Sequence, residues 1–451
     1  MIKALILASS LVSALALWHP YDAHKSYEPQ CKNTEANFKE KTRPVSLANK
    51  DKWKLWPDLV SQKDQIEGET MYGFEDAMEA IWKHQHPEDC SKAKFLISGG
   101  FESGFGSEFH VIGVGLALAM NMGRVYIMFP DGQNQLTDKM HSNNRFQVDI
   151  DFCRKQNKFS LECYYEPWTQ CTIEDALKGS TIQQLRSDGL HLYDHELMKM
   201  GENATAHTYI AQLGDTSGII PHALHDLYAC SPFNPGKYHY WWRAVSAAFL
   251  MRPNEPTRQL IMKHRDDKEM VFDKEKQQCV SVHIRRGDKH LEMKVIDNEN
   301  VFYDMAKQLW VDVKNRTHST QDKGIMVIGS EDAGVFDTAA AWAEKNNFDV
   351  RFTNLFDRKQ VSTGLNAEQQ EAARKKNAFV HNEWEYFNMI LTLDGHLRCS
   401  AFVCTHRSNY CRVIDELRAT VAHKANKVYA DFTCNPKPCI DSPETGVDWR
   451  R

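Results

Sequence analysis

Read as a pattern of apolar and polar positions, the chain divides into short apolar runs and longer amphipathic stretches that alternate. Residues 94–98 make a short strand-like run, followed by a glycine-rich segment from Gly99 to His110. An apolar helix over 111–122 comes next, closed by Gly123, and then a second strand over 124–129. Strand, glycine loop, helix, strand is the order of a βαβ unit. The second half repeats the alternation more fully. The run 279–284 reads as a buried strand. Helices are expected over 301–313, 335–345, 367–376, 383–397 and 409–422, and strands over 324–329, 350–353, 401–405 and 428–431. The fold class is therefore α/β, with a doubly wound, Rossmann-like parallel sheet in the carboxy-terminal part. Ligand sites of such sheets lie at the carboxyl ends of the strands. That places Arg285, Ser330-Glu331-Asp332 and the stretch Thr405 to Ser408 on one edge. The start of the 409–422 helix offers backbone N–H groups to an anion there.

Residues 19 to about 90 are polar, with tryptophans at 53, 56 and 82 and one amphipathic helix expected over 73–84. The aromatic stretch around Trp241-Trp242 reads as core. A charged, glycine-free segment, 254–276, marks the change of domain. The expected division is a signal peptide over 1–18, an amino-terminal α/β domain over 19–270, a Rossmann-like domain over 271–435 and a tail over 436–451.

Three features set the compartment. Met1-Ile2-Lys3 precedes an uncharged run over 4–17 that contains Ala14-Leu15-Ala16, the layout of a cleaved secretory signal. The run falls short of the roughly 20 apolar residues of a membrane span; the alternative is a retained signal anchor. Twelve cysteines are then expected to pair, with Cys404/Cys411 and Cys434/Cys439 the closest couples, and Cys153, Cys163 and Cys171 stapling a loop-rich region. No CxxC doublet suggests zinc. Asn203-Ala204-Thr205 and Asn315-Arg316-Thr317 are glycosylation sequons. The protein is expected in the secretory lumen, in the Golgi or secreted. The 451 residues carry a formal net charge of -5, which gives no bulk attraction to nucleic acid.

The chemistry concentrates after the 279–284 strand, in Arg285-Arg286-Gly287-Asp288-Lys289. Paired guanidinium groups present planar, bidentate donors to phosphate oxygens. Arg286-Gly287-Asp288 also spells an integrin-type tripeptide, but it follows a buried strand rather than capping a loop tip. The glycines at 99–106 do not match a dinucleotide fingerprint or a P-loop. Asp149-Ile150-Asp151 has the form of a metal-holding Asp-x-Asp, and is read as a solvated turn.

These blocks together resemble the catalytic region of α1,6-fucosyltransferases. The resemblance runs over about 90–432. It is carried by Cys90-Ser91-Lys92-Ala93-Lys94 with the glycine loop to His110, by Trp241-Trp242 to Arg252-Pro253, by His283 to Lys289, and by Phe402-Val403-Cys404-Thr405 to Cys411-Arg412-Val413. It implies two facing α/β domains of the GT-B type, the second binding GDP. It implies inverting, metal-independent transfer of fucose from GDP-fucose to a glycan or glycoprotein acceptor, with no cofactor. Carried over by position, His283 and Arg285 contact the diphosphate. Arg286, Asp288 and Lys289 complete the motif, and Ser408 holds phosphate. The base is a glutamate shortly after the lysine; Glu292 comes one residue earlier than the family pattern. The guanine-binding aspartate aligns with Thr392 without a gap, and with Asp394 after a two-residue shift. The family's coiled-coil stem and terminal SH3-like domain have no counterpart in the sequence. The alternatives are a GDP- or glycan-binding pseudoenzyme, a fucosyltransferase acting on a chitooligosaccharide or a protein, and a metal-dependent glycosyltransferase using Asp149 and Asp151.

Overall fold

The computed structural model describes residues 35–57, 59, 61–99, 104–128, 150–156, 161–214, 219–230, 238–267, 270–273, 276–286, 296–353, 382–432 and 439–441. Two sheets organise them. The first holds β1 (Phe95–Ser98), β2 (Val125–Met128), β3 (His191–Tyr193) and β4 (Thr208–Gln212), in the order β2-β1-β4-β3 and parallel throughout. The second holds β5 (Val280–His283), β6 (Gly324–Gly329), β7 (Phe348–Arg351), β8 (Ala401–Cys404), β9 (Tyr429–Asp431) and β10 (Cys439–Asp441), in the order β10-β9-β8-β5-β6-β7. Only the β9–β10 pair is antiparallel. The expected α/β class with a doubly wound second sheet is what the chain forms.

The longer helices are α1 (Phe74–Gln85), α2 (Phe105–Asn121), α3 (Tyr238–Leu250), α4 (Glu255–Arg265), α5 (Asn300–Thr317), α6 (Ala333–Asn346), α7 (Asn382–Arg398) and α8 (Asn409–Ala419). Strand alternation sorts the second sheet's faces. Val280, Val282, Met326, Ile328, Ala401 and Val403 point to one face and join α5 and α6 in one apolar cluster. Phe402 and Cys404 point the other way, into a core shared with α7 and α8. That core does not stop at the second sheet. It continues through α1, α2 and α3 to Trp53 and Trp56 near the start of the described chain. A third cluster covers the far face of the first sheet, with Phe95, Ile97, Val125 and Ile210.

α2 begins earlier than the apolar pattern indicates, at Phe105 rather than near 111. Its first turns carry Gly106, Glu108 and His110, which broke the apolar run in sequence yet are buried on the inner side. β3 and β4 were not foreseen; three and five residues long, they carry too little pattern for period-2 alternation to show. The helix expected over 367–376 and the Cys434/Cys439 couple lie outside the described residues. Four disulfides tie the described parts: Cys90–Cys171, Cys153–Cys163, Cys279–Cys399 and Cys404–Cys411. Among the described residues no helix is long and apolar enough to cross a membrane.

Candidate functional site

The strand order of the second sheet locates its crevice. From β5 the chain moves outward to β6 and β7. It then returns to the other side of β5 and lays down β8, β9 and β10. Neighbouring β5 and β8 therefore send their following segments to opposite sides, and a crevice opens between their carboxyl ends. β5 ends at His283, with Arg285 and Arg286 directly beyond; β8 ends at Cys404, with Thr405 to Ser408 beyond. The two blocks that carried the sequence reading thus flank one topological switch point.

Arg285 does not wave in solvent. Its Nη1 donates to Glu331 Oε1 at 2.6 Å, and the same oxygen accepts the Arg286 backbone N–H at 2.5 Å. Glu331 lies just past the end of the neighbouring strand β6, so one carboxylate fixes both the side chain and the turn that carries it. Arg286 faces elsewhere. Its guanidinium donates to the carbonyls of Ile296 and Asp297 and to Glu299 Oε1 at 2.5 Å, beside the start of α5. The two adjacent arginines are divided in this structure: Arg285 is held at the crevice, and Arg286 ties the outgoing chain to α5.

His283 is buried at the end of β5, facing α7 and α8. Its ring lies 4.8 Å from that of Tyr410 and 5.7 Å from that of His396. Gly329 at the end of β6 is required by this crowding, because a Cβ there would meet His396 Nε2 at 2.5 Å and His283 Nδ1 at 2.9 Å. Burial, with the Arg418 guanidinium adding to it, pushes the His396 imidazole down to about 3, so it stays neutral at physiological pH.

Across the crevice, Ser408 is the N-cap of α8, buried, and its side chain makes no capping hydrogen bond to the helix. The loop leading to it is fixed from three sides. Cys404–Cys411 closes it as the spacing predicts. Asp431, at the end of β9, accepts from the His406 backbone N–H at 2.9 Å. Arg412 donates to the His406 carbonyl at 2.5 Å and to Asn409 Oδ1 at 3.0 Å. Burial, and then the nearby Arg243, lower the Arg412 pKa from its ordinary value.

The glycine segment arrives at the same place from the first sheet. A Cβ on Gly106 would lie 2.4 Å from the Asn409 backbone, so only glycine lets α2 approach α8 this closely. Asn409 Nδ2 donates to Ser107 Oγ at 2.5 Å, and the Phe105 ring packs 5.6 Å from Tyr410. Deeper along the same two helices, His110 Nε2 and Glu416 Oε2 pair at 2.9 Å. The amino termini of α2 and α8 thus meet beside the crevice, and both helix dipoles present their positive ends there.

Asp394 takes a different place from the one expected of a nucleobase contact. It is 1% exposed, its two oxygens accept from Arg265 at 2.7 and 2.9 Å, and Oδ1 also accepts from Trp56 Nε1 at 2.8 Å. Burial acts to raise its pKa, but the Arg265 charge and hydrogen bonds outweigh burial, and the net shift is downward. This carboxylate is committed to joining α4, α7 and the Trp56 segment. Thr392, two residues earlier in α7, is buried beside Gly329, and its hydroxyl finds no hydrogen-bond partner among the described residues. Asp288, Lys289, Glu292 and Asp149 lie outside the described residues. Asp151 falls in a short helix, Ile150–Lys155, rather than in a turn.

Sequence reasoning named Glu331 only as part of a strand end and gave Asp431 no role. The available signal for both was an acidic residue where a parallel strand stops.

No family model matches the chain, and no curated protein matches it. Some solved structures resemble it distantly. The fucosyltransferase NodZ from Bradyrhizobium is 12% identical, with a TM-score of 0.40 over 78% of this chain and 99% of that one. A mutant of Arabidopsis thaliana FUT1 in complex with GDP is 11% identical, with a TM-score of 0.42 over 93% of this chain and 85% of that one. POFUT1 in its apo form is 11% identical, with a TM-score of 0.33 over 73% of this chain and 96% of that one. At these identities and scores the likenesses carry no argument.

Proposed function

We propose that this chain binds GDP-fucose at the β5/β8 crevice and transfers fucose to a glycan, with the core N-acetylglucosamine of N-glycans, α1,6-linked, as first candidate acceptor. One observation carries the reading. The guanidinium of Arg285, braced by Glu331, stands at the same topological switch point as the uncapped N-terminus of α8. Both supply what a nucleoside diphosphate leaving group needs. The sequence resemblance over four ordered blocks supports fucose as the sugar.

In the proposed reaction the acceptor hydroxyl oxygen bonds to the anomeric carbon of fucose from the face opposite GDP. The bond between that carbon and the β-phosphate oxygen breaks, and its electron pair stays on GDP. Arg285 and the α8 N–H groups stabilise the growing charge; His283 and Ser408 line the diphosphate, and Lys289 adds a second cation. Arg286 supports Arg285 indirectly, by anchoring the turn to α5. Glu292 takes the acceptor proton, with Asp288 as the alternative carboxylate. One displacement inverts the anomeric configuration and needs no covalent nucleophile. The cationic groups take the place of a metal. Four disulfides agree with passage through an oxidising lumen, and the Golgi is the proposed site of action.

The test is GDP release from GDP-fucose, with product linkage read by mass spectrometry, across N-glycans, chitooligosaccharides and peptides. Turnover only with a chitooligosaccharide or a peptide would replace the N-glycan acceptor. GDP binding with no turnover on any acceptor would leave a nucleotide-binding pseudoenzyme.

A further inference from the structure

The first sheet ends, on its far side, in an exposed aromatic ledge that nothing in the donor chemistry uses. Tyr193, the last residue of β3, is 44% exposed. The His195 ring, its side chain also 44% exposed, stacks beside it at 5.6 Å with an interplanar angle of 22°. Between them Asp194 is fully buried and fixes the turn. Its Oδ1 accepts from the His195 N–H at 2.7 Å, and its Oδ2 accepts from the Gly214 N–H at 3.0 Å, just past β4. The Tyr193 N–H is held as well, by Glu196 Oε2 at 2.9 Å. In the parallel ladder Tyr193 pairs with Gln212, which is also exposed, so the two side chains leave the same face of the sheet from neighbouring strands.

Register places this ledge at the carboxyl edge of the sheet, with Tyr193 and Gln212 on the Ile210 face rather than the α2 face. Ser98 of β1 pairs with Ala211 of β4, and Tyr193 of β3 pairs with Gln212, one residue further. The ends of β1 and β3 therefore stand at nearly the same height. Two interstrand steps of about 4.8 Å separate them, on the order of 10 Å. The chain after β1 leads into α2, whose first turn touches Asn409 and Tyr410 at the crevice. A rigid aromatic face, a neighbouring imidazole and an amide suit one class of ligand. The weakly positive C–H face of a pyranose packs on an aromatic ring's negative π face, while amide and imidazole take its hydroxyls.

We propose that Tyr193, His195 and Gln212 form a sugar-binding ledge that holds a distal residue of the oligosaccharide acceptor, with Tyr193 as the stacking platform. This rests on the glycan-acceptor reading above and deepens it. The occupant is an oligosaccharide longer than the reacting sugar, since the ledge is displaced sideways from the crevice.

The experiment uses the full chain, with chitotetraose and a GlcNAc-terminated biantennary N-glycan as probes, and titrates each by calorimetry alongside GDP. Tyr193→Ala is expected to weaken binding of at least one oligosaccharide by about fivefold or more. Tyr193→Trp should retain it, and both variants should bind GDP as the wild type does. The exposed position leaves the melting temperature as a check that both variants fold. Equal oligosaccharide affinity in wild type and Tyr193→Ala, or no binding of either probe by the wild type, overturns the ledge. GDP binding separates the two ideas. A wild type that binds oligosaccharide through Tyr193 but binds no GDP leaves the ledge standing and removes the donor reading.

Discussion

At the level of single residues, Arg285 and Glu331 act as a pair. Arg285→Lys keeps the charge and loses the planar fork, so transfer should fall by about 10² or more while the melting temperature holds; near-normal turnover would remove Arg285 from the phosphate site. Glu331→Gln should reduce GDP affinity without unfolding the chain, because Arg285 and the Arg286 N–H both lose their charged acceptor. Glu292→Gln tests the base: kcat should drop by about 10² to 10⁴ with GDP-fucose binding retained. An unchanged kcat would pass the role to Asp288. Asp394 makes the opposite kind of prediction. Asp394→Asn leaves Arg265 buried with a neutral partner and should destabilise the fold by about 3–5 kcal/mol. The pH dependence follows from the lowered pKa of Asp394. Its contribution is present in full above the unfolded value of about 3.9 and is lost as pH falls through the lower folded value. The stability gap between wild type and Asp394→Asn should therefore be full near neutrality and close below pH about 4. A gap that already narrows between pH 7 and about 5 would contradict the lowered pKa of Asp394. Arg285 was legible in sequence because its meaning is local, a cation directly after a strand. Asp394 was not, because its partners Trp56 and Arg265 lie far away along the chain.

At the level of elements, the loop between β8 and α8 is the most constrained piece of the site. The Cys404–Cys411 couple was readable from spacing alone, whereas Asp431 and Arg412 closing on His406 could be seen only once β9 lay beside β8. Replacing both cysteines by serine should leave a folded protein with weaker GDP binding, since two hydrogen-bonded anchors remain. Peptide mapping of the wild type that finds either thiol free would contradict the pairing. The strands of the second sheet were legible because they are apolar runs buried on both faces. The early start of α2 was hidden because its buried first turns are polar and glycine-rich for reasons of contact: Gly106 for the approach of Asn409, and His110 for Glu416.

On the scale of the molecule, the metal question is settled by chelation: transfer should survive EDTA. Loss of activity that Mn²⁺ restores would return the argument to Asp149 and Asp151. The alternation of strands and helices foretold an α/β chain, and it forms two largely parallel sheets. What sequence could not show is that one apolar core runs through both halves, from Val45 to Tyr429. That continuity bears on how the chain is made. A ribosome delivers Trp56 long before Asp394, and Val45, whose N–H donates to His423, earlier still. Two self-contained domains could fold one after the other as they emerge. Here the amino-terminal half emerges with its apolar surface uncovered and waits for α7 and α8, which come among the last hundred residues. The nascent chain should depend on chaperones for most of its synthesis. Residues 271–451 expressed alone should remain unfolded by circular dichroism, and a stop codon just before α7 should yield a protein that is degraded.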